Sequence, residues 1–173
     1  MILKLLNNLR RVVRHFSQFT IFFTSFGILS ANVANHTLFI KKDGTLWGMG
    51  TNAYGQLADS NHTNQLNPKL VHAGPVIACA VGGYHSLFIK DNFTLWTVGR
   101  NSHGQLGDNS GIDQNQSVQV ATDVVAVAAG GYHSIFIKKD GSLWGMGDNG
   151  WKQLGFSGSN PQVHDKQFIK EFI

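Results

Sequence analysis

The sequence predicts an all-β protein made of about three four-stranded sheets, and three observations carry that expectation. One block of residues recurs three times at a spacing of 48 to 49 positions, read from His36 to His85 to His133 and again from Trp47 to Trp96 to Trp144. Within each block apolar side chains alternate with a period of two, the period of a strand rather than a helix. Twenty glycines against three prolines, with 14% charged residues, make the chain dense in turns.

The elements of one block follow in order. Val76–Val81 and Val124–Ala129 are short apolar runs next to Gly82-Gly83 and Gly130-Gly131, and their small residues suit an innermost strand under close sheet packing. In the first copy residues 27–34 fill that place, with Val33-Ala34 where the others have paired glycines, so bulk there weakens the close approach. The next strand sorts His133, Ile135 and Ile137 onto one face and Ser134, Phe136 and Lys138 onto the other, as it does His85/Leu87/Ile89 against Ser86/Phe88/Lys90. Both faces are largely apolar, which predicts a strand covered on both sides by neighbouring sheets. Asp43-Gly44 and Asp140-Gly141 predict a two-residue hairpin turn, with Asp91-Asn92 as a variant. A third strand ends at Trp47 and Gly50, Trp96 and Gly99, or Trp144 and Gly147, before a loop carrying Gln56, Gln105 or Gln153 and a leucine. Pro68–Val71, Ser117–Val120 and Pro161–Val163 complete each set as a fourth strand. Four strands per roughly 50 residues make one blade of a β-propeller.

Gly-Gly-Tyr-His-Ser at Gly82 and Gly130, Asp-Gly-Ser/Thr-Leu-Trp-Gly-Met-Gly at Asp43 and Asp140, and Gly-Gln-Leu-Gly at Gly104 together resemble the regulator of chromosome condensation repeat family, especially its bacterial members. The resemblance covers residues 27–173, with cores at about 27–57, 76–107 and 124–155. It implies a propeller that has about seven blades when complete. Three blades do not close a ring, because the outer faces and edge strands stay in water. The chain is therefore read first as part of a longer propeller and second as one of several copies that assemble.

Charge separates the amino terminus from the rest. Lys4, Arg10, Arg11 and Arg14 are the only charged residues before Lys41, so the net charge of +4 belongs to residues 1–26 and the repeats balance ten bases against ten acids. Neutral repeats argue against nucleic acid as a partner. The basic stretch precedes an apolar run from Phe19 to Leu29, which suits an export signal or membrane contact, though no clean small-residue cleavage site follows. Ile2, Leu5, Leu6, Leu9, Val12, Val13 and Phe16 also fall at helical spacing, which suits an amphipathic targeting helix. Export or membrane association is thus the expected localisation, with a cytoplasmic or organellar one as the alternative.

No enzyme chemistry is legible. One cysteine, Cys79, excludes a disulfide framework or a cysteine zinc site. His36, His85 and His133 share one repeat position in an apolar strand, so they read as hydrogen-bonded structural histidines rather than metal ligands. Asp43, Asp91 and Asp140 are turn formers, and no glycine cluster is followed by the Lys-Ser/Thr of a phosphate loop. Neither metal, cofactor nor small-molecule ligand is expected. The repeat positions His36, His85, His133, Trp47, Trp96, Trp144, Gly50, Gly99, Gly147, Gln56, Gln105 and Gln153 are taken as structural, with the tryptophans in the core or at blade edges.

What remains is a non-catalytic scaffold whose loops meet protein partners. The candidate contact residues are Asn52, Tyr54, Arg100, His103, Asp108, Asn149 and Trp151, and Trp151 reads as a departure from the repeat. The resemblance also implies two other roles: nucleotide exchange on a small GTPase with chromatin binding, and inhibition of an extracytoplasmic enzyme. The first needs a full ring and a basic tail on the nucleosome side, which the neutral repeats lack.

Overall fold

The computed structural model describes residues 34–155 and 163–171. It is an all-β arrangement of three antiparallel sheets, one per repeat. The first holds β1 (His36–Ile40), β2 (Leu46–Gly50) and β3 (Gln65–His72). The second holds β4 (Val76–Val81), β5 (His85–Lys90), β6 (Leu95–Gly99) and β7 (Gln114–Ala121). The third holds β8 (Val124–Ala129), β9 (His133–Lys138), β10 (Ser142–Gly147) and β11 (Val163–Glu171). Each sheet is a meander in which sequential strands are neighbours, the blade of a propeller. Residues 1–26, and 27–33 at the place of the first inner strand, lie outside the described residues. Among the described residues no helix is long and apolar enough to cross a membrane.

The fourth strands are longer than the sequence suggests, because β3, β7 and β11 run past the two or three apolar residues that mark them. In β3 and β7, outer strands of their sheets, exposed and half-exposed polar residues extend the pairing without an apolar signal. Pro68 sits within β3 on its exposed stretch, where a missing N–H costs no ladder bond. The hairpins also differ from the expected two-residue turn. Gly44 N–H bonds to Lys41 carbonyl and Lys41 N–H to Thr45 carbonyl, which makes a three-residue loop with a single left-handed residue, Gly44 (φ 84°). In the second blade that place falls to Phe93 (φ 63°), not Asn92. Asp43 and Asp140 hold these turns through the hydroxyl and N–H of Thr45 and Ser142, and Asn92 does the same to Thr94. The Thr45, Thr94 and Ser142 hydroxyls accept the indole N–H of Trp47, Trp96 and Trp144, while Lys41, Lys90 and Lys138 lie over the indole rings at 3.4, 3.6 and 4.7 Å. Each tryptophan thus pins its hairpin at the blade edge.

The core lies between the blades. Leu38, Leu46, Leu57, Val76 and Phe88 form one buried cluster across the first joint, and Leu87, Ile89, Leu95, Val124, Phe136 and Met146 form another across the second. Residues 85–89 of β5 are buried on both faces because a blade stands on each side, as the apolar pattern predicts. β1 and β9 bury only alternate residues, since among the described residues each has a neighbouring blade on one side.

Candidate functional site

The joints are fastened by the repeat histidines, which act between blades rather than within one. His36 Nε2 lies 2.8 Å from the Ser86 hydroxyl, and His85 Nε2 lies 2.8 Å from the Ser134 hydroxyl. Ser86 donates to the Gln56 carbonyl and Ser134 to the Gln105 carbonyl, so each hydroxyl accepts from a protonated Nε2. That fixes the neutral tautomer, and among the described residues Nδ1 of both rings has no hydrogen-bond partner. Burial strips water from the imidazoles and holds the His36 pKa down at about 4 and that of His85 at about 3. The paired glycines serve this ring: a Cβ on Gly82 would stand 2.1 Å from His85 Cε1, and one on Gly130 would stand 2.1 Å from His133 Cε1.

Gly50, Gly99 and Gly147 have φ of 109°, 112° and 101°, a backbone open to glycine, and turn the chain out of the third strand. The next residue in each case, Thr51, Arg100 or Asp148, donates its N–H to the carbonyl of Asn35, Tyr84 or Tyr132. The loop that follows is closed by side chains. Asn52, Asn101 and Asn149 accept the N–H of Leu57, Leu106 and Leu154, while Gln56, Gln105 and Gln153 accept the N–H of Tyr54, His103 and Trp151. Asn52 and Asn149, expected to touch a partner, are therefore buried loop fasteners at 0% and 1% exposure. Asp108 is likewise taken up inside its loop, accepting from Asn101, Ser110 and Gln114. Trp151 does not break the repeat. It stands where Tyr54 and His103 stand, held by the same bond from Gln153, and is 90% exposed.

These turns bring one aromatic row together from three blades. Tyr54 packs edge-on against Tyr84 at 5.3 Å, Tyr84 lies 5.8 Å from Tyr132, and Tyr132 lies 4.7 Å from the His103 ring. The Arg100 guanidinium sits over the row, 4.9, 5.5 and 5.6 Å from the rings of Tyr54, Tyr84 and Tyr132. Its Nε donates to the Ser102 hydroxyl at 2.9 Å, and among the described residues no carboxylate pairs with it. All five side chains are half-exposed. Three expected contact residues, Tyr54, Arg100 and His103, thus converge, and Tyr84 and Tyr132 join them. Those two tyrosines read in the sequence as repeat residues only; the aromatic recurrence in Asn52-Ala53-Tyr54, Asn101-Ser102-His103 and Asn149-Gly150-Trp151 is the signal that places the other half of the row. A guanidinium on tyrosine faces, in no ion pair among the described residues, suits a partner's carboxylate or carbonyl groups. Among the described residues no three His, Cys, Asp or Glu side chains group to hold a metal.

The fold and this face define a segment of a repeat propeller. The sequence model of the Regulator of chromosome condensation (RCC1) repeat matches residues 76–105 and 124–150, and a second model of the same repeat matches residues 43–89, together more than half of the chain. The protein belongs to the regulator of chromosome condensation repeat family. Its fold is similar to that of human WBSCR16 (TM-score 0.69, 24% identity), with 79% of this chain and 37% of that one covered. It is similar also to Prp20p of Saccharomyces cerevisiae (TM-score 0.71, 20% identity), with 79% of this chain and 36% of that one covered. The chain therefore spans somewhat over a third of the length of these structures. No curated protein matches the sequence.

Proposed function

We propose that this chain is a non-catalytic protein-interaction module whose contact face is the row Tyr54, Tyr84, Arg100, Tyr132 and His103. The single observation that carries the reading is Arg100, one cation resting on tyrosines from three blades and, among the described residues, in no ion pair. Thr51 and Asp148 hold the equivalent places in the other repeats, so the arginine is particular to this position and is not required by the blade. Tyrosine and arginine supply large contact area and directed hydrogen bonds at small entropic cost, the composition of energetic centres in protein interfaces. Prp20p, one of the similar structures, is described with its binding to Gsp1p and histones, which supports a protein partner in kind. Residues 1–26, with their basic and apolar stretches, would carry the chain to a membrane or through it.

Affinity capture from the native host, followed by titration calorimetry of the captured protein against the wild type and Arg100→Ala, tests the reading. Arg100→Ala is expected to weaken binding by about tenfold or more, since a central interface arginine is worth upwards of about 1.4 kcal/mol. Thermal stability should change little, because the guanidinium is half-exposed and makes no ion pair among the described residues. A partner that binds Arg100→Ala as tightly as wild type removes this face from the proposal.

A further inference from the structure

In all three repeats the loop glutamine accepts an N–H on its Oε1: Gln56 from Tyr54, Gln105 from His103 and Gln153 from Trp151. That bond sets which end of the amide is Nε2 and turns it in the same direction each time. Gln56 Nε2 donates to the Thr51 hydroxyl at 3.3 Å, and Gln153 Nε2 donates to the Asp148 carboxylate at 2.9 Å. In the second blade the same position is Arg100, whose side chain carries donors only. Gln105 is fully buried, and among the described residues its Nε2 has no hydrogen-bond partner. A buried donor left unpaired costs more than an ordinary hydrogen bond contributes, so Arg100 weakens the loop that holds it. A threonine or an aspartate would serve the blade better, as each does in a neighbouring one.

Arg100 belongs to the middle blade, with a described blade on each side. Its guanidinium lies over Tyr54, Tyr84 and Tyr132, and its Nε donates to the Ser102 hydroxyl at 2.9 Å. The rings and Ser102 hold the guanidinium fork in one place, and it makes no ion pair among the described residues. A held fork matches the two oxygens of a carboxylate, and one cation balances one carboxylate charge. Among the described residues no other lysine or arginine lies over these tyrosines, so a phosphate dianion would keep half of its charge unmatched.

We propose that the second blade gives up the bond of its loop glutamine and gains in Arg100 a receptor for a carboxylate, the side chain of an aspartate or glutamate on the partner protein. This names the chemistry of the partner and rests on the reading of the aromatic row as the contact face. Arg100 is the specificity-determining residue of that face, because Thr51 and Asp148 complete their loops at the same position and neither carries a positive charge.

Two measurements on the full 173-residue chain test this. Arg100→Ala and Arg100→Thr both lose the guanidinium, but only threonine offers Gln105 Nε2 the acceptor that Thr51 offers Gln56. In urea Arg100→Thr is expected to unfold later, with a folded-to-unfolded ratio about fivefold above that of Arg100→Ala. Equal midpoints overturn the proposal. In the second measurement the Ser102 and His103 amides are followed by nuclear magnetic resonance near neutral pH, as sodium acetate replaces sodium chloride at constant ionic strength. A saturating shift is expected in the wild type and its loss in Arg100→Thr, which the urea titration shows to be folded. A shift that never saturates, that persists in Arg100→Thr, or that phosphate produces at lower concentration than acetate overturns the carboxylate. If acetate fails while Arg100→Ala still weakens the captured partner, this proposal falls and the contact face stands. If acetate binds while that partner is indifferent to Arg100→Ala, the carboxylate receptor stands and the face loses that partner.

Discussion

Gly99→Ala is expected to cost on the order of 4 kcal/mol, a large part of the roughly 5–15 kcal/mol by which an ordinary domain is stable. Two independent penalties add. Gly99 has φ of 112°, a conformation that side chains resist at a cost of about 1–3 kcal/mol. A Cβ there would also stand 2.6 Å from the Tyr84 carbonyl oxygen, 2.8 Å from His85 Cα and 3.1 Å from Gln56 Cβ. Two of those neighbours are backbone atoms of Tyr84 and His85 at the entry to β5, so relief means moving the start of β5 and with it the His85–Ser134 bond. The same shift lifts Arg100 N–H from the Tyr84 carbonyl and so unseats the guanidinium from the aromatic row. Urea titration supplies the measurement, with Gly150→Ala as the internal comparison. Its Cβ would meet nothing closer than Asp148 Oδ1 at 3.3 Å, so it should shift the midpoint by well under a quarter as much. Equal effects at the two glycines would show that the close approach at Gly99 is not what the blade depends on.

The contrast between these two glycines also shows what the sequence discloses and what it withholds. Period-two sorting of His133–Lys138 assigned the faces of β9 correctly, because a one-residue slip would turn every side chain over. The same pattern predicted that β5 is covered on both sides. It did not say which face meets the preceding blade and which the next, since that depends on how one sheet stacks on another. The partner of His36 is therefore Ser86, 50 residues on, and not a group within its own blade. The loop asparagines mislead for a related reason. Asn52 and Asn149 are polar and lie between strands, which reads as surface, yet each spends its side chain on a leucine N–H that would otherwise be buried unpaired. Phe93 shows a tertiary contact overriding turn chemistry: a phenylalanine takes the left-handed place that glycine fills in the other hairpins, and Lys139 lies over its ring at 3.7 Å. Arg100 and His103 differ from their counterparts in the other copies, Thr51 and Asp148 for the one and Tyr54 and Trp151 for the other, and variation within a repeat is where function separates from scaffold. Tyr84 and Tyr132 recur, so the sequence filed them with the scaffold although they are half of the same face.

Acid should loosen the joints before it reaches the carboxylates. His36 and His85 are held neutral in the fold, with pKa values near 4 and 3 against an ordinary 6.5, chiefly because burial removes the water that would stabilise the charge. Protonation of His85 would also place an N–H on its Nδ1, which has no hydrogen-bond partner among the described residues. The unfolded chain binds these protons near pH 6.5 and the folded chain only near 4 or below, so the unfolded state holds more protons throughout that interval. Stability is therefore full above about pH 6.5 and falls as the pH drops towards 4, at up to about 1.4 kcal/mol per pH unit for each histidine. The aspartates shift the opposite way and act elsewhere: Asp59 and Asp108 are held below their usual 3.8 by hydrogen bonds that outweigh their partial burial, so their contribution is lost only at more acid pH. Denaturant midpoints measured from pH 7.5 to 4.5 should thus decline steeply below pH 6.5. His85→Gln keeps a donor for Ser134 while removing one titration, and should lower stability at neutral pH but flatten the decline. A midpoint that stays level from pH 6.5 to 4.5 would mean that the imidazoles are hydrated in solution and that the joints open more readily than their geometry implies.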